Sequence, residues 1–155
     1  MQAKSKDILI GDLITRYRTA ANRDAALDKL AAARLGVSVG DLQCLNIVES
    51  RHGLTAGELA TESGLTTGAV TAVIDRLERV GYARRVRDEH DRRKVKVEVT
   101  DEFYARASEI WAPVAAEWQQ VLADGFSADE LATIVAFLTQ VEALAERHAA
   151  RLAAG

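Results

Sequence analysis

The chain has 155 residues, 48% apolar but only 5% aromatic, so a compact domain, or a small one with appended helices, must build its core from aliphatic side chains. One cysteine excludes a disulfide framework, no apolar run approaches the ~20 residues that span a bilayer, and no apolar stretch follows Lys4 and Lys6 as a secretory signal would require, so a soluble, cytoplasmic protein is expected. The net charge of −3 hides an asymmetry: from Arg76 to Lys96 nine basic residues stand against four acids, a local excess of +5 that leaves −8 elsewhere.

Residues 7–33 read as one long helix, with Ile10, Leu13, Tyr17, Ala20, Leu27, Leu30 and Ala31 recurring mostly at three- and four-residue spacings. Gly36 is a suitable stop. Ser38 caps a second helix, with Asp41 placed to favour its open amides and Leu42, Leu45, Ile47 and Val48 on its buried side. Thr55 to Glu58 has the form of a capping box opening a short helix with Leu59 and Ala60, and Gly64 permits a sharp turn. Thr66 caps a further helix whose apolar face is Val70, Val73, Ile74 and Leu77, ended by Gly81.

The period then changes. Val95, Val97 and Val99 alternate with Lys94, Lys96 and Glu98 as in a half-buried strand, which Tyr82–Arg87 would pair, leaving 88–93 as the hairpin tip. A two-stranded ribbon is marginal alone, so it must lie against the helices. Thr100 opens another helix, in which Pro113 is either a kink or a new start. Ser127 to Glu130 is a second capping box before a last helix to about residue 150, where Leu131, Leu138, Ala145 and Leu152 recur every seven residues, as do Ile134, Val141 and His148. That stripe points to helix packing across a dimer.

Helix, turn, helix and basic ribbon, in that order, are the parts of a DNA reader. The second helix would enter the major groove by its N-terminal end, here Thr66, Thr67, Gly68 and Thr71, whose small polar side chains permit close approach and whose free amides attract phosphate. The ribbon would set its arginine-rich tip in the neighbouring minor groove. Each residue has a plainer reading: Thr67, Gly68 and Thr71 suit any helix start, Thr66 is a cap first, and the basic ribbon could be a solvated hairpin. Arg76 would reach phosphate or only solvate its helix. Arg84 and Arg85 point to opposite faces, so one of them faces DNA, and Arg92 stands beside Arg93 with the same ambiguity.

The segment from Leu54 to Thr100 resembles the winged helix-turn-helix of MarR-type transcriptional regulators. The stretch from Thr71 to Gly81, followed by Arg84 and Arg85, follows the family's recognition helix and its exit. The wing signature of that family is Asp-x-Arg, five residues, then Leu-Thr; here Asp91-Arg92-Arg93 is followed by residues 94–98 and Val99-Thr100, with Val in place of Leu. A glycine common shortly afterwards is replaced by Phe103 or its neighbours. The flanking helices match too, so the resemblance covers nearly the whole chain.

The implied fold is mainly α with a small β-hairpin wing: an N-terminal dimerisation helix (1–37), the winged DNA-binding domain (38–100) and C-terminal dimerisation helices (101–155). The resemblance implies a homodimer on a pseudo-palindromic double-stranded operator, commonly as a repressor released by a small aromatic or anionic effector. It makes Arg93 the wing arginine on DNA and Asp91 its brace, or the partner of a helix arginine. The expected DNA-binding residues are thus Thr66, Thr67, Gly68, Thr71, Arg76, Arg84, Arg92 and Arg93.

No cofactor or metal is expected, since His52, His90 and His148 lack ligand spacing. Cys44, among Leu42, Leu45 and Ile47, reads as core rather than redox sensor, and Trp111 and Trp118, seven apart, read as core before cavity lining. A winged domain that docks proteins or shapes chromosomes is the alternative, and equal affinity for specific and random duplex would favour it. An enzyme is not expected: the sequence offers no nucleophile-base pair, phosphate loop or metal cluster.

Overall fold

The computed structural model describes residues 5–88, 91 and 93–154. It comprises α1 (Lys6–Leu35), α2 (Val39–Ser50), β1 (Leu54–Thr55), α3 (Ala56–Ser63), α4 (Thr67–Arg79), β2 (Ala83–Arg87), β3 (Val95–Val99), α5 (Asp101–Gly125) and α6 (Ala128–Ala154). The chain packs as two compact units, residues 1–110 and 111–155, with the boundary inside α5.

The first unit holds the expected helices, each begun by the cap its sequence supplies. The Ser38 hydroxyl accepts from the Asp41 amide at 3.0 Å and the Asp41 carboxylate accepts from the Ser38 amide, so Asp41 closes a capping box and does not merely favour the helix dipole. Thr55 and Glu58 close the expected one. Gly64, at φ +69°, makes the left-handed turn that lets α4 leave α3 within three residues.

The core lies where α2, α3 and α4 meet the sheet. Leu42, Leu45 and Val48 from α2, Leu59 from α3, and Val70, Ile74 and Leu77 from α4 are almost wholly buried, with Val97 and Phe103 closing the cluster. The apolar side of α4 is the one its sequence specified.

The sheet differs from the expected ribbon. Three antiparallel strands run in the order β1-β3-β2, because Leu54 and Thr55, the latter read only as a helix cap, pair with Val97 and Lys96. This gives the marginal hairpin a third strand. The β2–β3 register sets Ala83, Arg85 and Arg87 opposite Val99, Val97 and Val95, so these share one face, with Arg84, Val86, Lys96 and Glu98 on the other. The base of the hairpin is tied down: the Thr100 hydroxyl donates to the Gly81 carbonyl at 2.6 Å, its amide to Tyr82, and the Tyr82 hydroxyl donates to the Leu35 carbonyl. The Tyr82 and Phe103 rings meet edge to face at 5.6 Å.

The apolar stripe of α1 is largely uncovered, and one expected burial, that of the tryptophans, does not occur. In α1 only Ala31, Ala32 and Leu35 are buried, while Leu30 and the more N-terminal Ile10, Leu13 and Tyr17 are exposed. Trp118 is exposed and Trp111 half-buried, so neither is core of this chain. Pro113 starts no new helix, since α5 runs through it. In the second unit α6 begins at the Ser127–Glu130 capping box and buries none of its described side chains, leaving Leu138, Leu144 and Leu152 exposed. Among the described residues no helix is long and apolar enough to cross a membrane.

Candidate nucleic-acid interface

The tip of α4 stands clear of the molecule. The Thr66 hydroxyl accepts from the Ala69 amide at 3.2 Å, so its oxygen serves as the helix cap. The amides of Thr67 and Gly68, at the first two helical positions, have no intrahelical acceptor to reach. Thr67, Gly68 and Thr71 are all exposed, on the side of α4 away from Val70, Val73, Ile74 and Leu77. The Thr71 hydroxyl donates to the Thr67 carbonyl at 2.9 Å, which turns its lone pairs outward. A Cβ added at Gly68 would meet nothing within 4 Å, so internal packing does not require glycine there.

The hairpin tip is built on carboxylates. Asp88 accepts from the Asp91 amide at 2.8 Å, Asp91 accepts from the Arg93 amide at 3.1 Å, and the Asp91 carbonyl accepts from the Lys94 amide. Asp91 therefore braces Arg93 through its main chain and leaves the exposed guanidinium unengaged by that contact. Arg92 lies outside the described residues.

Ion pairing divides the basic segment. Arg76 lies toward α2, its Nη2 2.6 Å from Asp41 Oδ1 and its Nε 3.3 Å from Asp41 Oδ2, so two of its nitrogens are held by a carboxylate that the sequence reading did not name. Burial pushes the Asp41 carboxyl up, but hydrogen bonds from Arg76 and Ser38 outweigh it and hold the group below the usual carboxylate range. Arg84 is exposed and pairs with Glu98, its cross-strand partner, at 3.2 Å. Arg85 turns the other way and pairs with Asp75 and Glu78 of α4. Lys96 holds Asp88 at 2.5 Å, and that carboxylate raises the lysine pKa.

Among the described residues Arg79, Arg87, Arg93 and Lys94 form no ion pair, which leaves their charge directed to solvent or a ligand. Arg79, Arg87 and Lys94 were not among the expected contacts. Their signal in sequence was weak, because the pairing that distinguishes them from Arg76, Arg84 and Arg85 is made by residues distant in the chain.

Cys44 is 1% exposed, and burial, then the Asp41 charge, push its thiol pKa up against the opposing pull of Arg76. Nothing near Cys44 in the chain signals that basic neighbour, 32 residues away. Among the described residues no cluster of His, Cys, Asp or Glu could hold a metal ion.

A protein-family model described as MarR family matches residues 35–94, the span from the end of α1 to the wing. The HTH-type transcriptional regulator YcgE of Bacillus subtilis is 32% identical over 136 residues, covering 88% of each chain. Among solved structures, a MarR family protein from Bacillus stearothermophilus superposes with a TM-score of 0.67 at 21% identity, over 92% of this chain and 99% of that one. A MepR variant of S. aureus, solved bound to an oligodeoxyribonucleotide, superposes at 0.55 with 20% identity, over 84% and 96%. These likenesses confirm a winged-helix fold.

Proposed function

This chain belongs to the MarR family of helix-turn-helix transcriptional regulators, and we propose that it acts as a homodimeric repressor whose two α4 tips enter successive major grooves of a pseudo-palindromic operator. The supporting observation is the pairing of an uncovered helix start (Thr67, Gly68, Thr71) with a wing whose Arg93 and Lys94 carry no internal ion pair. Helix amides and small side chains suit the major groove, and unpaired cations on a hairpin suit the adjacent minor groove and its phosphates. Thr66 contributes as cap and phosphate neighbour. Arg84, although bound to Glu98, is exposed enough to exchange that carboxylate for phosphate, and Arg76 acts on DNA through the placement of α4.

Dimerisation is supported by apolar side chains with no cover in one chain. On α1 Ile10, Leu13, Ile14 and Tyr17 are 41–56% exposed, and on α6 Leu138, Leu144 and Leu152 are bare. Helices this apolar are stable in water only when a partner covers them. The soluble, cytoplasmic location follows from the work of such a regulator.

Release by a small anionic or aromatic effector is supported by a cavity of about 330 Å³ between the end of α1 and the start of α5. Arg34, Arg106 and Tyr82 supply its cationic and aromatic walls, with Glu109 opposing. Tyr82 also bonds Leu35 and leads into the wing, so a ligand there would shift the population between wing placements only by preferring one of them.

Selection of bound duplexes from a random pool, followed by mobility shift, tests the reading. The expected product is an inverted repeat with half-sites about 10 base pairs apart, bound by a dimer in sedimentation. Equal affinity for selected and random duplex would overturn it, and a panel of small aromatic carboxylates that leaves the shift unchanged would remove the effector.

A further inference from the structure

β2 is one edge of the sheet, and its middle residue is fastened to α4 three times over. The Arg85 amide donates to Glu78 Oε1 at 2.9 Å, Nη1 of its side chain meets Glu78 Oε2, and Nη2 meets Asp75 Oδ1 at 2.8 Å. Asp75 and Glu78 are three residues apart on one side of α4, so a single guanidinium fork spans both carboxylates. The main-chain bond also satisfies an amide that an edge strand would otherwise leave open.

We infer that Arg85 is a positioning residue for DNA recognition: by fastening β2 to Asp75 and Glu78 it fixes where the wing tip lies relative to the tip of α4. This rests on the reading of Thr67, Thr71 and Arg93 as the DNA surface. The argument is one of leverage. The base of the hairpin is pinned by Thr100 and Tyr82, and β3 is held by β1 at Val97 and Lys96, but β2 itself is held to the helices at Arg85. Arg93 is four residues beyond Val97, the cross-strand partner of Arg85, so it lies roughly 13 Å further along the strands, and a tilt of about 10° at Arg85 would move it by about 2 Å, enough to break a hydrogen bond to a fixed groove.

The same contacts do a second job. Asp75 and Glu78 lie on a helix that must approach phosphate, and two uncompensated carboxylates there would repel it. Arg85 offsets half of that charge from the protein side, so its own charge is consumed internally.

A double-mutant cycle on the selected duplex tests the inference. Arg85→Ala is expected to weaken binding by about 10-fold in the parent protein and by less than about 2-fold in an Arg93→Ala background, because a tip without its arginine has nothing left to misplace. Arg85→Lys should recover part of the loss. The selected sequences should keep their inner, helix-read positions and lose preference at the flanks. An equal cost of Arg85→Ala in both backgrounds, or none in either, would overturn the inference. If Arg93→Ala itself leaves binding unchanged, it is the DNA surface that is wrong. Should Arg85→Ala melt below the assay temperature, Glu78→Gln runs the same cycle, with the same coupling expected and additivity again overturning it.

Discussion

Asp41 and Arg76, 35 residues apart in sequence, meet through two hydrogen bonds on a carboxylate only 4% exposed. They join the start of α2 to the last turn of the recognition helix, and Ser38 completes the carboxylate's partners. An acid in this setting is ionised below its usual range, so the folded state binds the proton more weakly than the unfolded chain does. The stability it supplies is fully present above the ordinary carboxylate pKa of about 4 and fades as the pH falls through the lower folded value. Asp41→Asn should cost about 2 kcal/mol at pH 7, seen as a Tm lower by about 4–8 °C, with the two melting curves converging in acid. A constant gap down to pH 2 would show that shape, and not charge, is what Asp41 contributes.

Gly68 sits in the first turn of α4 with open space where a Cβ would go. A helix gains from alanine at such a site, so Gly68→Ala should stabilise the protein by up to about 1 kcal/mol. The same methyl would stand between the helix and a groove wall. Calorimetry and mobility shift on one sample are expected to move in opposite directions, with Tm rising and affinity for the selected duplex falling. A variant that binds as tightly as the parent would place Gly68 away from DNA.

Arg93 has its main chain fixed by Asp91 and its side chain exposed. Arg93→Ala should weaken binding by about 1–3 kcal/mol and, if the arginine lies on phosphate as well as in the minor groove, lower the slope of log affinity against log salt by about one. Lys94→Ala should lower that slope with little change in which sequences are selected. Thermal stability should be unchanged in both, since neither side chain forms an ion pair among the described residues.

Local chemistry was legible in the sequence. Ser38, Thr55, Thr66 and Ser127 cap the helices they were expected to cap, because a cap and its amide lie within four residues of each other. The face of α4 was legible for a similar reason, its apolar residues repeating at helical spacing. What escaped was set by residues far apart. The two-residue β1 exists only because Val97 and Lys96 pair with it, and nothing in Leu54-Thr55 alone signals a strand. The alternation of Arg84 and Arg85 showed that they part company, but the partner of each is chosen by Glu98 on one strand and Asp75 on a helix. The three-residue spacing of Asp75 and Glu78 was the available clue that a cation spans them. The stripes of α1 and α6 were read as dimerisation helices, and in one chain much of their apolar surface is indeed exposed; the tryptophans of α5 were read as core because a sequence does not separate burial within a chain from burial against another copy.

The chemistry of Cys44 gives a last, separable test. Its sulfur lies among the core side chains of α2 at 1% exposure, and burial together with the Asp41 charge disfavours the thiolate, the only form that attacks an alkylating reagent. Arg76 pulls the other way, but its charge is already neutralised by the Asp41 carboxylate it holds. Iodoacetamide should therefore label native protein at least about 1000-fold more slowly than denatured protein, at a rate set by opening of the fold. Asp41→Asn would remove the repelling charge while loosening the fold, so its labelling rate should rise in step with its loss of stability. Rapid labelling of the parent protein at neutral pH, with its melting curve unchanged, would show that the thiol is accessible and would reopen a redox role for Cys44.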